Sequence, residues 1–223
     1  MIKLVAFDWN GTILADTNAV VAGDNAVLKY FGRKRTTLKE VQKKFIMPIR
    51  NFYIAMGLNP KALDRNSDKM WSIFLKAYEP LENKCRSRSG AKSVLQFLQN
   101  NKIKTIIFSN HMVQHIQKQL KRLNIYNYVD KILARELDDV SHLHIKSKDK
   151  KISELVNKLK IKPKEVLVVG DTDEEVDIAK FFGYYSAALT GGNTSTPRLK
   201  ATNPDYLIHN LKDLKKIIQK LHY

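Results

Sequence analysis

Three short β-branched runs limit what this chain can fold into, because each ends on polar residues and leads into a helix signal. Residues 2–7 run into Asp8-Trp9-Asn10-Gly11-Thr12, residues 104–108 into Ser109-Asn110-His111, and residues 165–169 into Gly170-Asp171. Apolar runs of this length and content read as buried strands. Strands alternating with helical stretches predict a parallel sheet with right-handed crossovers. In such a sheet the C-terminal strand ends lie side by side, and open α/β sheets bind their ligands there. Asp8, Ser109 and Asp171 are therefore expected at one rim, although they are far apart in sequence. Gly11 lets the chain turn sharply after the first strand.

The stretch from Ala15 to Cys85 reads differently. Residues 18–31 have helical periodicity and stop at Gly32. Thr37 followed by Glu40 resembles a capping box that opens a helix through Phe45. Pro48 interrupts, and a further helix is expected over 67–78, before Pro80. No strand is expected in this block, so it reads as a helical insert between the first strand and the rest of the sheet. Beyond it, helices are expected over 89–100, 112–123, 152–159, 176–182 and 211–221. Strands are expected over 129–134 and 184–189, the latter as the last inner strand. The fold class is α/β, a Rossmann-like parallel sheet over 1–15 and 86–223, with an all-helical insert at 16–85.

Composition narrows the partners. Lys+Arg 39 against Asp+Glu 22 gives a net charge of +17, a field that attracts anions such as phosphorylated metabolites. The basic residues are scattered lysines without an Arg-rich block, which disfavours nucleic-acid binding as the main role. Hydrophobic residues make up 43%, enough for a sizeable core. The single Cys85 excludes an internal disulfide and suits a reducing cytoplasm. No run is long and apolar enough for a spanning helix, so no membrane partner is expected.

The three strand ends, with a lysine from the basic loop 145–151, supply a nucleophilic carboxylate, a hydroxyl, a cation and a distal carboxylate. That is equipment for phosphoryl transfer with a hard divalent metal. These residues resemble the motifs of the haloacid dehalogenase-like (HAD) hydrolases, most closely the phosphoglycolate-phosphatase-like branch with a helical cap. The family's Asp-x-Asp-Gly-Thr corresponds to Asp8-Trp9-Asn10-Gly11-Thr12, its Ser/Thr to Ser109, and its Gly-Asp-x-x-x-Asp/Glu to Gly170-Asp171 through Glu175. Its motif lysine falls on Lys146, with Lys148 as the runner-up.

The resemblance implies a phosphatase acting on a small phosphorylated substrate by way of an aspartyl-phosphate on Asp8. Mg²⁺ would be held by Asp8, the backbone carbonyl of Asn10, Asp171 and Glu175, with Asp173 as the alternative to Glu175. Ser109, the Asn110 backbone N–H and Lys146 would hold the phosphoryl oxygens. The cap would select the substrate, with Arg50 as a candidate contact. His111 and His115 are four apart on one helix, and no third zinc ligand follows them in sequence. His142 and His144 are weaker candidates for the site mouth, and the polar loop Gly191-Gly192-Asn193-Thr194-Ser195 is a weak candidate for binding phosphate.

One position departs from the pattern. The family's second aspartate, its general acid, is Asn10 here, and an amide does not titrate. Losing general acid–base catalysis costs about 10²–10⁴ in rate, least for leaving groups of low pKa such as acyl or aryl phosphates. A low-turnover or regulatory HAD-like protein is thus the alternative. Phosphonatase-like relatives also lack this acid and use a cap lysine, but Ile49 stands where that lysine is expected; Lys43 and Lys44 lie nearby.

Overall fold

The structure is a computed structural model that describes residues 1–136 and 148–222. Six strands form one sheet: β1 (Leu4–Phe7), β2 (Lys104–Met112), β3 (Lys131–Arg135), β4 (Val166–Gly170), β5 (Tyr185–Leu189) and β6 (Tyr206–Ile208). Their order is β3-β2-β1-β4-β5-β6, and every pairing is parallel. The chain builds outward from β1 in one direction and then restarts on its other side at β4. This makes the β1/β4 boundary the switch point, where doubly wound sheets open a crevice.

Alternation along the strands divides the core into two layers, as a period of two requires. Val5, Phe7, Ile107 and Val169 face Leu95 of α6 (Ala91–Asn100), Ile116 of α7 (Val113–Arg122) and Leu214 of α11 (Asp213–Lys220). Leu4, Ala6, Phe108 and Val168 face Ile152 of α8 (Lys148–Lys158) and Ile178 of α9 (Asp173–Phe182). Both faces of the sheet are covered, which explains why its strands read as unbroken apolar runs.

Between β1 and α6 the chain forms five helices, α1 (Thr17–Tyr30), α2 (Leu38–Lys44), α3 (Ile49–Ala55), α4 (Pro60–Arg65) and α5 (Ser67–Glu82). They bury their own apolar cluster, including Val27, Leu28, Phe52, Tyr53 and Met70. Thr37 caps α2 by accepting the Glu40 N–H, as its spacing predicts. The chain leaves and re-enters the sheet layer through paired segments. The Ala15 N–H donates to Arg86 O at 2.9 Å, and the Arg88 N–H to Ile13 O at 2.8 Å.

Three expectations need correction. Pro80 does not end α5, which continues to Glu82; a proline in the last turn removes only one ladder bond. β2 extends through Met112 because Met112 pairs with Arg135 beyond an irregularity that follows Phe108. The sheet has a further strand outside β5, the three-residue β6, too short for its alternation to be read. No helix among the described residues is long and apolar enough to cross a membrane.

Candidate active site

Strand register assembles the site. Phe7 pairs with Ile107 on one side and Val169 on the other. Asp8, one residue further, stays locked to β4 by its N–H donating to Val169 O at 2.9 Å. Ser109 follows Phe108 at the irregularity within β2, and Asp171 follows Gly170, the last paired residue of β4. The three predicted strand-end residues thus meet at one rim, all buried.

Lys148, at the start of α8, enters this rim from the side. Its Nζ lies 3.2 Å from Asp8 Oδ1 and 3.0 Å from Glu174 Oε2, and it also bonds Glu175 Oε1. The ammonium sits 5.2 Å from the centre of the Phe108 ring. Asp8, Asp171, Glu174, Glu175 and Lys148 are all at most 6% exposed. Three carboxyls, those of Asp8, Glu174 and Glu175, therefore share one ammonium, and Asp171 is buried beside them. Burial pushes Asp8 well above the ordinary carboxylate range, against the pull of Lys148; the charges of Glu175 and Asp171 push the same way as burial. Burial, and after it the charge of Glu175, pushes Asp171 up to about 7. The attraction of its carboxylate neighbours holds the Lys148 ammonium well above its ordinary value, although burial opposes this.

Asp171 is fixed from three directions. Thr12 Oγ1 donates to its Oδ1 at 2.8 Å, and the Asn193 N–H and Nδ2 donate to its Oδ2 at 2.6 and 3.1 Å. The backbone passes so close that a Cβ at Gly11 (φ +75°) would lie 2.3 Å from Asp171 Oδ2, and one at Gly192 2.1 Å from it. The loop 191–195 therefore orients this carboxylate. Glu175 completes the capping box of α9: its Oε2 accepts from the Thr172 N–H and from Thr172 Oγ1 at 3.1 and 2.6 Å.

Asn10 points away from this cluster. Its Nδ2 donates to Asp16 Oδ2 at 2.6 Å and to the Tyr78 hydroxyl at 2.8 Å, and that hydroxyl donates to Asp16 Oδ2 at 2.7 Å. Asp16 also accepts the Gly11 N–H at 2.7 Å. Ser109 Oγ accepts the His111 N–H at 3.2 Å, and Asn110 Nδ2 lies 3.5 Å from Glu174 Oε2.

The haloacid dehalogenase-like hydrolase family model matches residues 2–183. A candidate pyrophosphatase PpaX of Caldanaerobacter subterraneus is 29% identical over 225 residues, covering 98% of this chain and 95% of that protein. The phosphoglycolate phosphatase of Synechococcus elongatus is 24% identical over 219 residues, covering 98% of each. In fold, the chain resembles a haloacid dehalogenase-like family protein of Streptococcus pneumoniae, with a TM-score of 0.79 at 17% identity over 97% of this chain and 98% of that one. The chain belongs to the haloacid dehalogenase-like hydrolases.

Several sequence assignments in this HAD-like hydrolase change once its geometry is known. Among the described residues, Lys148, the runner-up, reaches Asp8; Lys146 lies outside the described residues, as do His142 and His144. Glu174, which sequence reasoning passed over, reaches the lysine together with Glu175. Asp173 turns outward to Arg198. Arg50 does not face the site: it makes a two-pronged bond to Asp64 at 2.6 and 2.8 Å on the surface of the helical layer. Lys43 and Lys44 are exposed.

The two histidines do acquire a third polar partner, Glu82 from the end of α5. It lies 2.9 Å from His111 Nε2 and 3.7 Å from His115 Nδ1. Burial acts to raise Glu82, but hydrogen bonds from His111 and His115 outweigh it and hold the carboxyl down at about 2.

The two lysines give a direct test. Lys148→Met strands buried carboxylates, and losing one partner of a buried ion pair costs about 3–5 kcal/mol. We expect that loss in urea denaturation at neutral pH, together with loss of phosphate release. Lys146→Met should leave stability within about 0.5 kcal/mol of wild type; the reverse ranking would return the role to Lys146.

Proposed function

We propose that this HAD-like hydrolase is a phosphatase that cleaves small phosphorylated metabolites through an aspartyl-phosphate on Asp8, with the helical insert 16–85 serving as a cap domain. The observation that carries this reading is the meeting of Asp8, Lys148 and Asp171 at one buried rim. Relatives named as pyrophosphatase and phosphoglycolate phosphatase support the phosphatase class. The single cysteine is consistent with a cytoplasmic setting.

The donor set fits a hard divalent cation. Asp8 and Asp171 are both pushed toward holding protons by burial and by neighbouring carboxylates, and a dication relieves that repulsion. Their oxygens, with the Asn10 carbonyl, are the donor type that Mg²⁺ prefers. Asp8 and Asp171 would be side-chain ligands; Glu175 would support them through Thr172 and Lys148. When bound, Mg²⁺ would mask phosphate charge and so let a carboxylate approach phosphorus. Lys148 and Ser109 would neutralise and hold the phosphoryl oxygens. Asp8 would attack phosphorus in line, the leaving oxygen would depart with its electron pair, and water would then release phosphate and restore the carboxylate.

One observation favours a second reading, low turnover or a regulatory role. The Asn10 amide is held by Asp16 and Tyr78 and has no acidic proton to give. The phosphonatase alternative lacks its lysine, since Ile49 lines the cavity above the rim.

The primary test is phosphate release from an ester panel with Mg²⁺ or with chelator. Asp8→Asn and chelated wild type should both be inactive; equal activity of Asp8→Asn and wild type would remove the proposal. Metal also has a signature without turnover. A carboxyl raised in the folded state stabilises the fold below its unfolded pKa of 3.8, and that contribution is lost as pH rises through about 7. Metal-free protein should therefore lose Tm between about pH 5 and 8, and Mg²⁺ should restore more at pH 8 than at pH 5.

Asn10→Asp sets a second carboxyl against Asp16, so it should retain a proton near neutral pH. Turnover of alkyl phosphates should then rise at least about tenfold and gain an alkaline limb. A wild type already fast on those esters, and unaltered by the substitution, would exclude the low-turnover reading.

A further inference from the structure

Above the rim, between the sheet and the helical layer, lies a cavity of about 130 Å³. Asn10, Asn110 and Asn193 form its floor, so it opens directly over the strand ends. Its wall is aromatic. Trp71, Phe74 and Tyr78 follow one face of α5 as a continuous stack, with ring centres 5.3 and 5.4 Å apart and interplanar angles of 6° and 19°. Tyr53 and Met70 continue the wall. Among the described residues, no lysine or arginine lines this cavity; Arg135 lies over the Trp71 ring, 5.8 Å from its centre. Among the described residues, the cavity therefore offers no lysine or arginine to a second phosphate or a carboxylate.

Asp24 supplies the polar group in the wall. It is 1% exposed on α1, and its Oδ1 accepts from the Tyr53 hydroxyl at 2.9 Å. Its Oδ2 is buried and has no hydrogen-bond partner. A ligand donor would satisfy this oxygen, which is otherwise left unpaired in a buried wall.

We propose that the substrate is an aryl phosphate monoester, with a single aromatic ring in this cavity and a hydroxyl or amine on the ring donating to Asp24 Oδ2. This rests on the phosphatase reading and names its substrate class. Three observations converge on it. The volume matches one ring, since a cavity of about 150 Å³ holds benzene. The stacked wall favours a ring face. Asn10 cannot protonate the leaving oxygen, and a phenol, with a pKa of about 10 like the tyrosine side chain, is a far better anionic leaving group than an alkyl alcohol. In the first step Asp8 Oδ bonds to phosphorus and the P–O(aryl) bond breaks. The phenolate leaves with the electron pair and takes its proton from solvent. Water then attacks phosphorus, releasing phosphate and restoring Asp8.

The experiment measures kcat/KM of the full chain with Mg²⁺ for phenyl phosphate, 4-aminophenyl phosphate, acetyl phosphate, 2-phosphoglycolate and pyrophosphate. Both aryl esters should exceed phosphoglycolate and pyrophosphate by at least about tenfold, with the amino ester ahead of phenyl phosphate. Trp71→Ala should lower the ratio of aryl to acetyl phosphate at least tenfold. Asp24→Asn, which keeps the side-chain shape, should abolish the advantage of the amino ester. Phosphoglycolate or pyrophosphate as the best substrate overturns the proposal, as does a ratio that Trp71→Ala leaves unchanged. Acetyl phosphate needs neither the cavity nor a proton donor. Its hydrolysis without aryl hydrolysis defeats this inference alone, and hydrolysis of nothing defeats the phosphatase reading as well.

Discussion

Lys148 holds the site together. Burying ions is costly, and its ammonium bonds three carboxyls at once, those of Asp8, Glu174 and Glu175. The fold distributes the remaining negative charge among fixed dipoles. Glu175 is anchored at the N-terminus of α9, where the helix dipole favours an anion. Asp171 receives a backbone N–H from the loop after β5. The raised values of Asp8 and Asp171 show that this compensation is incomplete. Among the described residues, the rim thus gathers more carboxyls than the Lys148 ammonium bonds.

Sequence reading found the rim because strand ends follow from periodicity: the apolar runs stop at Asp8, Ser109 and Gly170-Asp171, and register does the rest. The lysine was harder to assign. Lys146 and Lys148 are two apart on a basic stretch, and which of them reaches the rim depends on where α8 begins. Glu174 and Glu175 are neighbours in the first turn of α9, and only the angle at which the helix leaves β4 brings both to one ammonium. Arg50 was misread because its partner Asp64 sits on α4, a six-residue helix that no periodicity reveals. Asp24 had a legible signal, a carboxylate four residues after Val20 and four before Leu28 on an otherwise apolar helix face. Thr12 and Asn193 stood out only as members of the first motif and of the polar loop; their bonds to Asp171 were not legible, because each meets a residue more than twenty positions away.

One loop serves both layers. Asn193 orients Asp171, while next to it Gly192 O accepts from Gln42 of α2 at 2.7 Å and the Ser195 N–H donates to Gln42 O at 3.0 Å. Arg198 of α10 (Thr196–Ala201) adds a bond to Phe45 O at 2.6 Å and an ion pair to Asp173. The helical layer is thus fastened at α2 to the backbone that fixes the distal carboxylate. The opposite fastening is Glu82 of α5 on His111 of β2. Outside these joints the surface is strongly basic, with a net charge of +17, so anions are drawn toward a rim whose own carboxyls are buried and partly balanced.

Asn10 and the aromatic wall are two ends of one hydrogen-bonded unit. Tyr78 contributes its ring to the stack with Phe74 and its hydroxyl to Asp16 and Asn10. Asp16 is buried and accepts from Asn10, Tyr78 and the Gly11 N–H, so it fixes the turn that follows Asp8. An amide suits this network better than a carboxyl, because Asn10 donates two bonds where an ionised aspartate could donate none. The residue that removes the general acid is therefore held by the side chain that lines the cavity. Under the proposed reading, a chain organised this way gives up proton donation at the leaving oxygen and places aromatic side chains next to it. Those features act in the same direction, toward a leaving group that needs no proton and prefers to be out of water.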